Sequence, residues 1–184
     1  CWGKNNVSLI GKSESQIAQL GIGRKFQKPT VFEQQTIEEN LMMALKNNRG
    51  FFHALIYKYS TDEVDRVKEL AKLIKLNQVL SKIAGELSHG QKQWLEIGML
   101  LAQDPSLLLV DEPAAGMTDS ERTETALLLR ELSKSRSVIV VEHDMDFIRQ
   151  LNCKVTVLNE GSVLAEGSLG YVSKDRNVIE VYLG

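Results

Sequence analysis

The chain has 184 residues, 43% hydrophobic and 25% charged, which predicts a single globular domain with a sizeable core. Its 22 basic and 24 acidic residues give a net charge of -2, so no global field draws it onto nucleic acid or anionic lipid. No apolar run approaches the ~20 residues that cross a bilayer. The two cysteines, Cys1 and Cys153, form neither a disulfide framework nor a metal cluster, which favours a reducing, cytosolic compartment.

The N-terminal region carries a short motif that looks like the end of a phosphate-binding loop. Residues 11–13 (GKS) match the last part of G-x-x-x-x-G-K-[ST], but Asn6 stands where the first glycine belongs, and no convincing strand precedes the motif. We therefore interpret this stretch as the capped approach to a short helix at about residues 15–20. Because the chain begins with Cys1 and shows no charged-then-apolar leader, we expect that an upstream segment is missing.

The middle of the chain is predicted to be mainly helical, from about residue 37 to residue 103. Ser60 and Glu63 form the pattern of a capping box at the start of one helix. Apolar residues then recur with the spacing of a single helix face, at Val64, Val67, Ala71 and Ile74. No strand-like run interrupts this region, so we expect a helical subdomain inserted into an α/β body.

The C-terminal half is predicted to alternate strands with helices. Strands are expected at residues 107–110, 138–141 and 155–158, and helices at residues 120–133 and 145–151. Aliphatic strands of this kind are typical of a parallel sheet with helices on both faces. Residues 159–161 indicate a tight turn into a further strand at 162–165, a hairpin at the edge of the sheet.

Residues 87–91 (LSHGQ) stand at the start of a predicted helix that continues to about Ala102. Ser88 and Gln91 form a second capping box, and a well-capped helix is the plain interpretation. The same residues also suit an anion, because a helix N-terminus offers free N–H groups, Gly90 permits close approach and Ser88 adds a hydroxyl donor. Ser88, Gly90 and Gln91 are therefore candidates for contacting a phosphate.

Two adjacent carboxylates, Asp111 and Glu112, follow the strand at residues 107–110. Ligands of open α/β folds bind at the carboxyl edge of the sheet, where these side chains are expected. Asp111 is suited to hold Mg²⁺, and Glu112 to orient or deprotonate the water that attacks a γ-phosphate. Polar strand exits are frequent in α/β proteins, so the upstream phosphate site is what favours the chemical interpretation.

His143 follows the next predicted strand, residues 138–141. A histidine at a strand exit is usually a surface or structural residue. Here it is expected on the same sheet edge as Asp111 and Glu112, where its imidazole could reach a γ-phosphate and sense its loss.

Taken in order, these motifs resemble those of the ATP-binding cassette (ABC) family. Residues 87–91 resemble its signature motif, residues 107–112 its Walker B strand with a catalytic glutamate, and residues 115–118 its D-loop. His143 resembles the H-loop switch, and Gln27 matches the Q-loop glutamine that borders the helical subdomain. The order and spacing agree along the whole chain.

The resemblance implies an α/β fold of the P-loop NTPase (RecA-like) type: a parallel sheet with an inserted helical subdomain. Residues 1–36 would be the remainder of the core including the Q-loop, residues 37–103 the helical subdomain, and residues 104–184 the α/β core. The family's N-terminal strands and phosphate loop, and the aromatic residue that stacks on adenine, have no counterpart here. We therefore expect apolar surface left uncovered, and an isolated fragment that is poorly stable and inactive.

The resemblance also implies binding and hydrolysis of ATP with Mg²⁺. Glu112 and His143 would be catalytic, and Asp111 and Gln27 would organise Mg²⁺. The signature residues would act in trans, on ATP held by a second ABC ATPase subunit; these residues are Ser88, Gly90 and Gln91. Thr118 stands where many cassettes have aspartate, which leaves the details of communication between subunits open.

A finer resemblance is to importers of branched-chain amino acids and urea. His89 in place of the usual glycine, residues 111–117 and residues 178–184 are similar to that group, and residues 21–33 are most similar to the ATP-binding subunit of urea transporters. The implied partners are transmembrane permease subunits at the inner face of the cell membrane, with no nucleic acid. The alternatives are a branched-chain amino acid importer, a non-transport cassette and a non-catalytic remnant.

Overall fold

The computed structural model describes residues 8–25, 30–46 and 59–182. Its α-helices are α1 (Glu14–Gln19), α2 (Ile37–Ala44), α3 (Thr61–Leu73), α4 (His89–Leu101), α5 (Asp119–Leu132), α6 (Met145–Leu151), α7 (Leu169–Val172) and α8 (Arg176–Tyr182), with a 3₁₀ turn at Ala84–Glu86. Its strands are β1 (Ile22–Lys25), β2 (Leu107–Asp111), β3 (Ser137–Val141), β4 (Lys154–Asn159) and β5 (Ser162–Ser168). Cys1, Asn6 and Gln27, which were named in the sequence analysis, lie outside the described residues.

A parallel sheet of three strands, in the order β1-β2-β3, forms the base of the candidate site. Ile22 pairs with Leu107, and Leu107 pairs with Ser137 on its other side. The parallel sheet was predicted from β2 and β3, and the α/β fold class is confirmed. Strand β1 was not predicted, because its sequence IGRK has a glycine and two basic residues and little of the aliphatic character that marks a strand.

Helix starts agree closely with the sequence. Ser60 and Ser88 accept hydrogen bonds from Glu63 N and Gln91 N, so both predicted capping boxes are confirmed. Ser13 caps α1 in the same way, which accounts for the GKS motif as a helix start. No helix in the described ranges is long and apolar enough to cross a membrane.

Strands β4 and β5 correct one expectation, because they do not join the parallel sheet in the described part of the chain. They pair with each other, antiparallel, as a separate two-stranded sheet. The turn between them uses left-handed backbone at Glu160 (φ 49°) and Gly161 (φ 78°), as predicted for a tight turn. In β4, Lys154 and Thr156 alternate with apolar residues, so one face of the strand is exposed to water. Such alternation is typical of antiparallel strands, whereas strands of a parallel sheet are covered on both faces.

The main hydrophobic core brings the helices around α4 together with the α/β body. Leu41 of α2, Leu95 of α4, Leu108 of β2 and Phe147 of α6 belong to one buried cluster, and each is at most 1% exposed. The expectation that helices cover both faces of β3 is wrong for the described residues. The exposure of β3 alternates along the strand, with Ile139 48% and Val141 61% exposed.

Candidate functional site

The carboxyl ends of β2 and β3 bring Asp111, Glu112 and His143 to one edge of the sheet, as the sequence predicted. Asp111 is the last residue of β2 and pairs with Val141, the last residue of β3. The N–H of Glu112 donates to the carbonyl of Val141 at 2.9 Å, which joins the two strand exits directly. The parallel pairing therefore sets the spacing between the two polar loops.

Glu112 and His143 lie side by side at this edge. The Nδ1 atom of His143 is 3.5 Å from Oε1 of Glu112, and the two side chains are 80% and 28% exposed. Glu112 has left-handed backbone, with φ 43°, which is uncommon for a residue with a side chain. Strained backbone of this kind is concentrated at functional sites, where the surrounding structure holds a side chain in one direction.

A buried carboxylate, Glu142, supports both loops, and sequence reasoning gave it no role. Its Oε1 accepts a hydrogen bond from Ala114 N at 3.1 Å, while its Oε2 accepts from His143 N at 2.9 Å and Asp144 N at 3.3 Å. Its side chain is only 3% exposed. Its position after Val141, at the start of a run of polar residues, gave a weak signal, because only the tertiary structure brings Ala114 near it.

The predicted phosphate-contacting residues lie at the N-terminus of α4. Ser88 Oγ accepts from Gln91 N at 3.2 Å, and Gln91 Oε1 accepts from Ser88 N at 3.1 Å. Gly90 is buried, and a Cβ atom there would lie 2.6 Å from the carboxylate of Glu121. The Ser88 hydroxyl itself donates to Oε1 of Glu121 at 2.8 Å. The hydroxyl that the sequence predicted to contact a phosphate thus donates to a carboxylate of the same chain.

The pKa of the Glu121 carboxyl is held below its ordinary value. The main cause is its hydrogen bond from the backbone of Thr118, followed by the hydrogen bond from Ser88, while the Thr118 hydroxyl and the charge of His89 contribute less. Burial acts in the opposite direction, with a smaller effect than either the Thr118 backbone or the Ser88 hydrogen bond. Glu121 therefore carries its negative charge against the start of α4 at neutral pH.

A buried ion pair joins β1 to α4. Lys25 Nζ lies 3.6 Å from Oε2 of Glu96, and the side chains are 0% and 5% exposed. Oε1 of Glu96 accepts hydrogen bonds from Thr30 N at 3.3 Å and Thr30 Oγ1 at 2.9 Å. Burial lowers the pKa of Lys25 and raises that of Glu96, while their mutual attraction opposes both shifts. Sequence reasoning missed this pair because its two residues lie far apart in the chain.

The described residues offer a cation oxygen ligands without a complete protein cage. In the ranges that the structure describes, no three His, Cys, Asp or Glu side chains converge as a metal site. Mg²⁺ in nucleotide enzymes takes one or two carboxylates, substrate phosphates and water. Asp111 at the sheet edge fits that pattern. Gln27, the other predicted Mg²⁺ residue, lies outside the described residues.

The parallel sheet and the polar residues at its carboxyl edge define an α/β protein of the kind that binds its ligand at that edge. Comparison with known proteins gives its family. Residues 4–115 match the family model described as ABC transporter. The high-affinity branched-chain amino acid transport ATP-binding protein of Escherichia coli (strain K12) is 31% identical, over 96% of this chain and 72% of that protein. The probable branched-chain amino acid transport ATP-binding protein of Archaeoglobus fulgidus is also 31% identical, over 96% and 70%.

Solved structures agree with the sequence relatives. A nucleotide-free ATP-binding cassette from an ABC transporter superposes with a TM-score of 0.79 and 27% identity, covering 97% of this chain and 75% of that one. The ADP conformation of an ATP-binding cassette superposes with a TM-score of 0.76 and 28% identity, covering 94% and 72%. The chain belongs to the ABC transporter family, and its enzymatic class is that of the family's ATP-hydrolysing cassettes.

Proposed function

We propose that this chain is the ATP-hydrolysing subunit of an ABC importer, with Glu112 and His143 as its catalytic residues. The observation that carries the proposal is the 3.5 Å approach of His143 Nδ1 to Glu112 Oε1 at the carboxyl edge of the parallel sheet. An imidazole and a carboxylate side by side at this edge can act together on one phosphate and one water molecule.

In this proposal, Glu112 orients and polarises the water that attacks the γ-phosphate. The left-handed backbone of Glu112 and its N–H bond to Val141 direct the carboxylate toward the edge instead of along the strand. His143, which is 80% exposed, is free to contact the γ-phosphate oxygens and to respond when they leave. Asp111 and Gln27 would hold Mg²⁺, which neutralises charge on the phosphates.

The signature residues would act on ATP held by a second ABC ATPase subunit. Ser88 supplies a hydroxyl donor, Gly90 permits close approach, and the N-terminus of α4 supplies partial positive charge. Gln91 keeps this helix start in place through its two hydrogen bonds with Ser88. The hydrogen bond from the Ser88 hydroxyl to the Glu121 carboxylate supports the proposal, because a phosphate oxygen would accept a hydrogen bond of the same kind.

Residues 37–103 are proposed as the helical subdomain that faces transmembrane permease subunits, placing the chain at the inner face of the cell membrane. The relatives in Escherichia coli and Archaeoglobus fulgidus carry names that specify branched-chain amino acids, which favours that solute class. Urea is the second candidate, supported by the likeness of residues 21–33 to urea-transporter subunits. Deleting the gene and measuring uptake of labelled leucine and labelled urea separates the two.

The test of catalysis is ATP turnover by the protein at the full length its gene encodes. Glu112→Gln should lower turnover by about 10²–10⁴ while leaving nucleotide binding intact. Glu131→Gln is a matched control, because Glu131 lies on the exposed side of α5 and, within the described residues, forms an ion pair with Lys134 three positions away. Near-normal turnover in Glu112→Gln would overturn the assignment of the catalytic residue.

A second comparison concerns the phosphate loop. ATP turnover is measured for the 184 residues as printed and for the same chain preceded by the phosphate-loop segment of a branched-chain amino acid relative. Activity confined to the extended protein supports the proposal. Activity in the printed chain would mean that its phosphate site lies elsewhere, and inactivity of both would favour a non-catalytic binding module.

A further inference from the structure

The carboxylate of Glu121 bridges the starts of two helices. Its Oε2 accepts hydrogen bonds from Thr118 N and Thr118 Oγ1, both at 3.0 Å, and so completes the capping box of α5. Its Oε1 accepts from the hydroxyl of Ser88, the N-cap of α4, at 2.8 Å. One charged group therefore stabilises two helix N-termini that lie far apart in the sequence.

Gly90 makes room for this contact. A Cβ atom at Gly90 would lie 2.6 Å from both Cδ and Oε1 of Glu121, so a side chain there would force this carboxylate to move. The absence of a side chain at Gly90 thus serves the protein's own carboxylate in this state. The space that admits a phosphate oxygen in the proposed function is occupied by Glu121.

The Ser88 hydroxyl has a single proton, and that proton is donated to Glu121. A phosphate oxygen from a facing subunit needs the same proton, and it carries the same sign of charge as Glu121. Both cannot be satisfied at once, because two anionic acceptors at one donor repel each other and one of them loses its hydrogen bond.

We propose that Glu121 is a positioning residue that reserves the signature hydroxyl of Ser88, so that the terminal phosphate of ATP on a facing subunit must displace its carboxylate before the two subunits close. The inference rests on the proposed function of Ser88. In this inference Glu121 has two opposing effects: its carboxylate stabilises the isolated subunit, and it weakens the ATP-dependent association of two subunits.

Displacement of Glu121 does not require α4 and α5 to separate. Trp94 of α4 donates from Nε1 to Thr125 Oγ1 of α5 at 2.8 Å, and Thr125 is buried. His89 packs on Gly116, and a Cβ atom added to Gly116 would lie 3.2 Å from Cδ2 of His89. The first contact joins α4 to α5 and the second joins α4 to the loop before α5, and both can remain while the Glu121 side chain changes its partner.

The experiment measures ATP-dependent dimerisation of the full-length protein by light scattering, in a Glu112→Gln background that prevents turnover. Glu121→Gln should lower the ATP concentration for half-maximal dimerisation by about fivefold to tenfold, because a neutral amide competes less well than a carboxylate for the Ser88 proton. The melting temperature of the isolated subunit should fall at the same time. Glu131→Gln removes an equal charge from α5 and should change neither quantity.

The inference predicts that Glu121→Gln lowers the stability of the isolated subunit but strengthens ATP-dependent dimerisation, and this combination distinguishes it from a purely structural role. A residue that only supports the fold would lower the melting temperature and weaken dimerisation together, and that result would overturn the inference. Glu121→Asp provides a second variant that retains the capping charge but is too short to reach Ser88, so it should also strengthen dimerisation.

Ser88→Ala distinguishes failure of the inference from failure of the proposed function. Loss of dimerisation in Ser88→Ala, with no gain in either Glu121 variant, overturns the inference alone. Unchanged dimerisation in Ser88→Ala overturns the proposed role of Ser88 and the inference with it. If the proposed role of Ser88 and the inference about Glu121 are both right, Glu121→Gln does not strengthen dimerisation in a protein that already lacks the Ser88 hydroxyl.

Discussion

The carboxylate of Glu142 accepts a hydrogen bond from the backbone N–H of Ala114 at 3.1 Å and so joins the loop after β2 to the loop after β3. Its other oxygen accepts from the N–H of His143 at 2.9 Å. The loop that carries Glu112 and the loop that carries His143 therefore share one buried support. Their relative positions depend on a residue that contacts no substrate in the proposed mechanism.

Glu142→Gln should destabilise the protein by about 1–3 kcal/mol, because the amide N–H₂ would face a backbone donor in a buried place. Turnover should fall with it, since the His143 loop loses its fixed position. Urea unfolding and ATP hydrolysis by the full-length protein measure the two effects. Stability and turnover equal to those of the unchanged protein would contradict the supporting role.

The buried pair of Lys25 and Glu96 should be sensitive to removal of one partner. Lys25→Met leaves the Glu96 carboxylate buried without its cation, which costs about 3–5 kcal/mol. Lys25→Met combined with Glu96→Gln removes both charges while keeping an acceptor for Thr30, and should recover most of that loss. Chemical denaturation of the unchanged protein, the two single variants and the double variant gives the coupling free energy between Lys25 and Glu96. Equal losses in the single and double variants would contradict it.

Gly98 lies where α4 contacts α2 and α3. A Cβ atom there would lie 2.6 Å from Ile74 Cδ1 and 3.0 Å from Leu41 Cδ2. Gly98→Ala should therefore destabilise by about 1–3 kcal/mol through overpacking, although alanine favours a helix by about 1 kcal/mol. Ile74→Val removes the atom in closest conflict and should rescue part of the loss. Thermal unfolding of the single and double variants checks this, and a stabilised Gly98→Ala would contradict the packing.

The lowered pKa of Glu121 predicts how its contribution to stability depends on pH. The folded state binds fewer protons than the unfolded state near the ordinary glutamate pKa of about 4.3, so the contribution is present above that pH. It is lost as the pH falls through the lower pKa of the folded protein. Urea unfolding should give the unchanged protein an advantage over Glu121→Gln at pH 7 that narrows below about pH 4. An advantage independent of pH would contradict a charged capping role.

Strand β1 illustrates a limit of sequence reasoning in this chain. The segment IGRK is short, and its charged residues and glycine do not favour a strand on their own. Its extended form comes from pairing with β2, and the carbonyl of Gly21 accepts from Ser106 N at 2.8 Å. Gly21 needs its left-handed φ of 81° to begin this strand.

The helix starts, the aliphatic strands and the polar edge of the sheet were determined by the sequence. Capping boxes form between residues three positions apart, so Ser60 with Glu63 and Ser88 with Gln91 suffice to predict them. The meeting of Glu112 and His143 was also predictable, because parallel strands bring their carboxyl ends to one edge. Local chemistry and one rule of topology account for both.

Only the tertiary structure decided which carboxylates support the site. Ser88 and Glu121 are 33 positions apart, and Ala114 and Glu142 are 28 apart. Such contacts depend on the packing of α4 against α5 and on the register of β2 with β3, and no local pattern encodes them. A carboxylate one turn into a helix has the same sequence pattern whether it caps that helix alone or also binds a distant hydroxyl, because the second partner is chosen by packing in three dimensions.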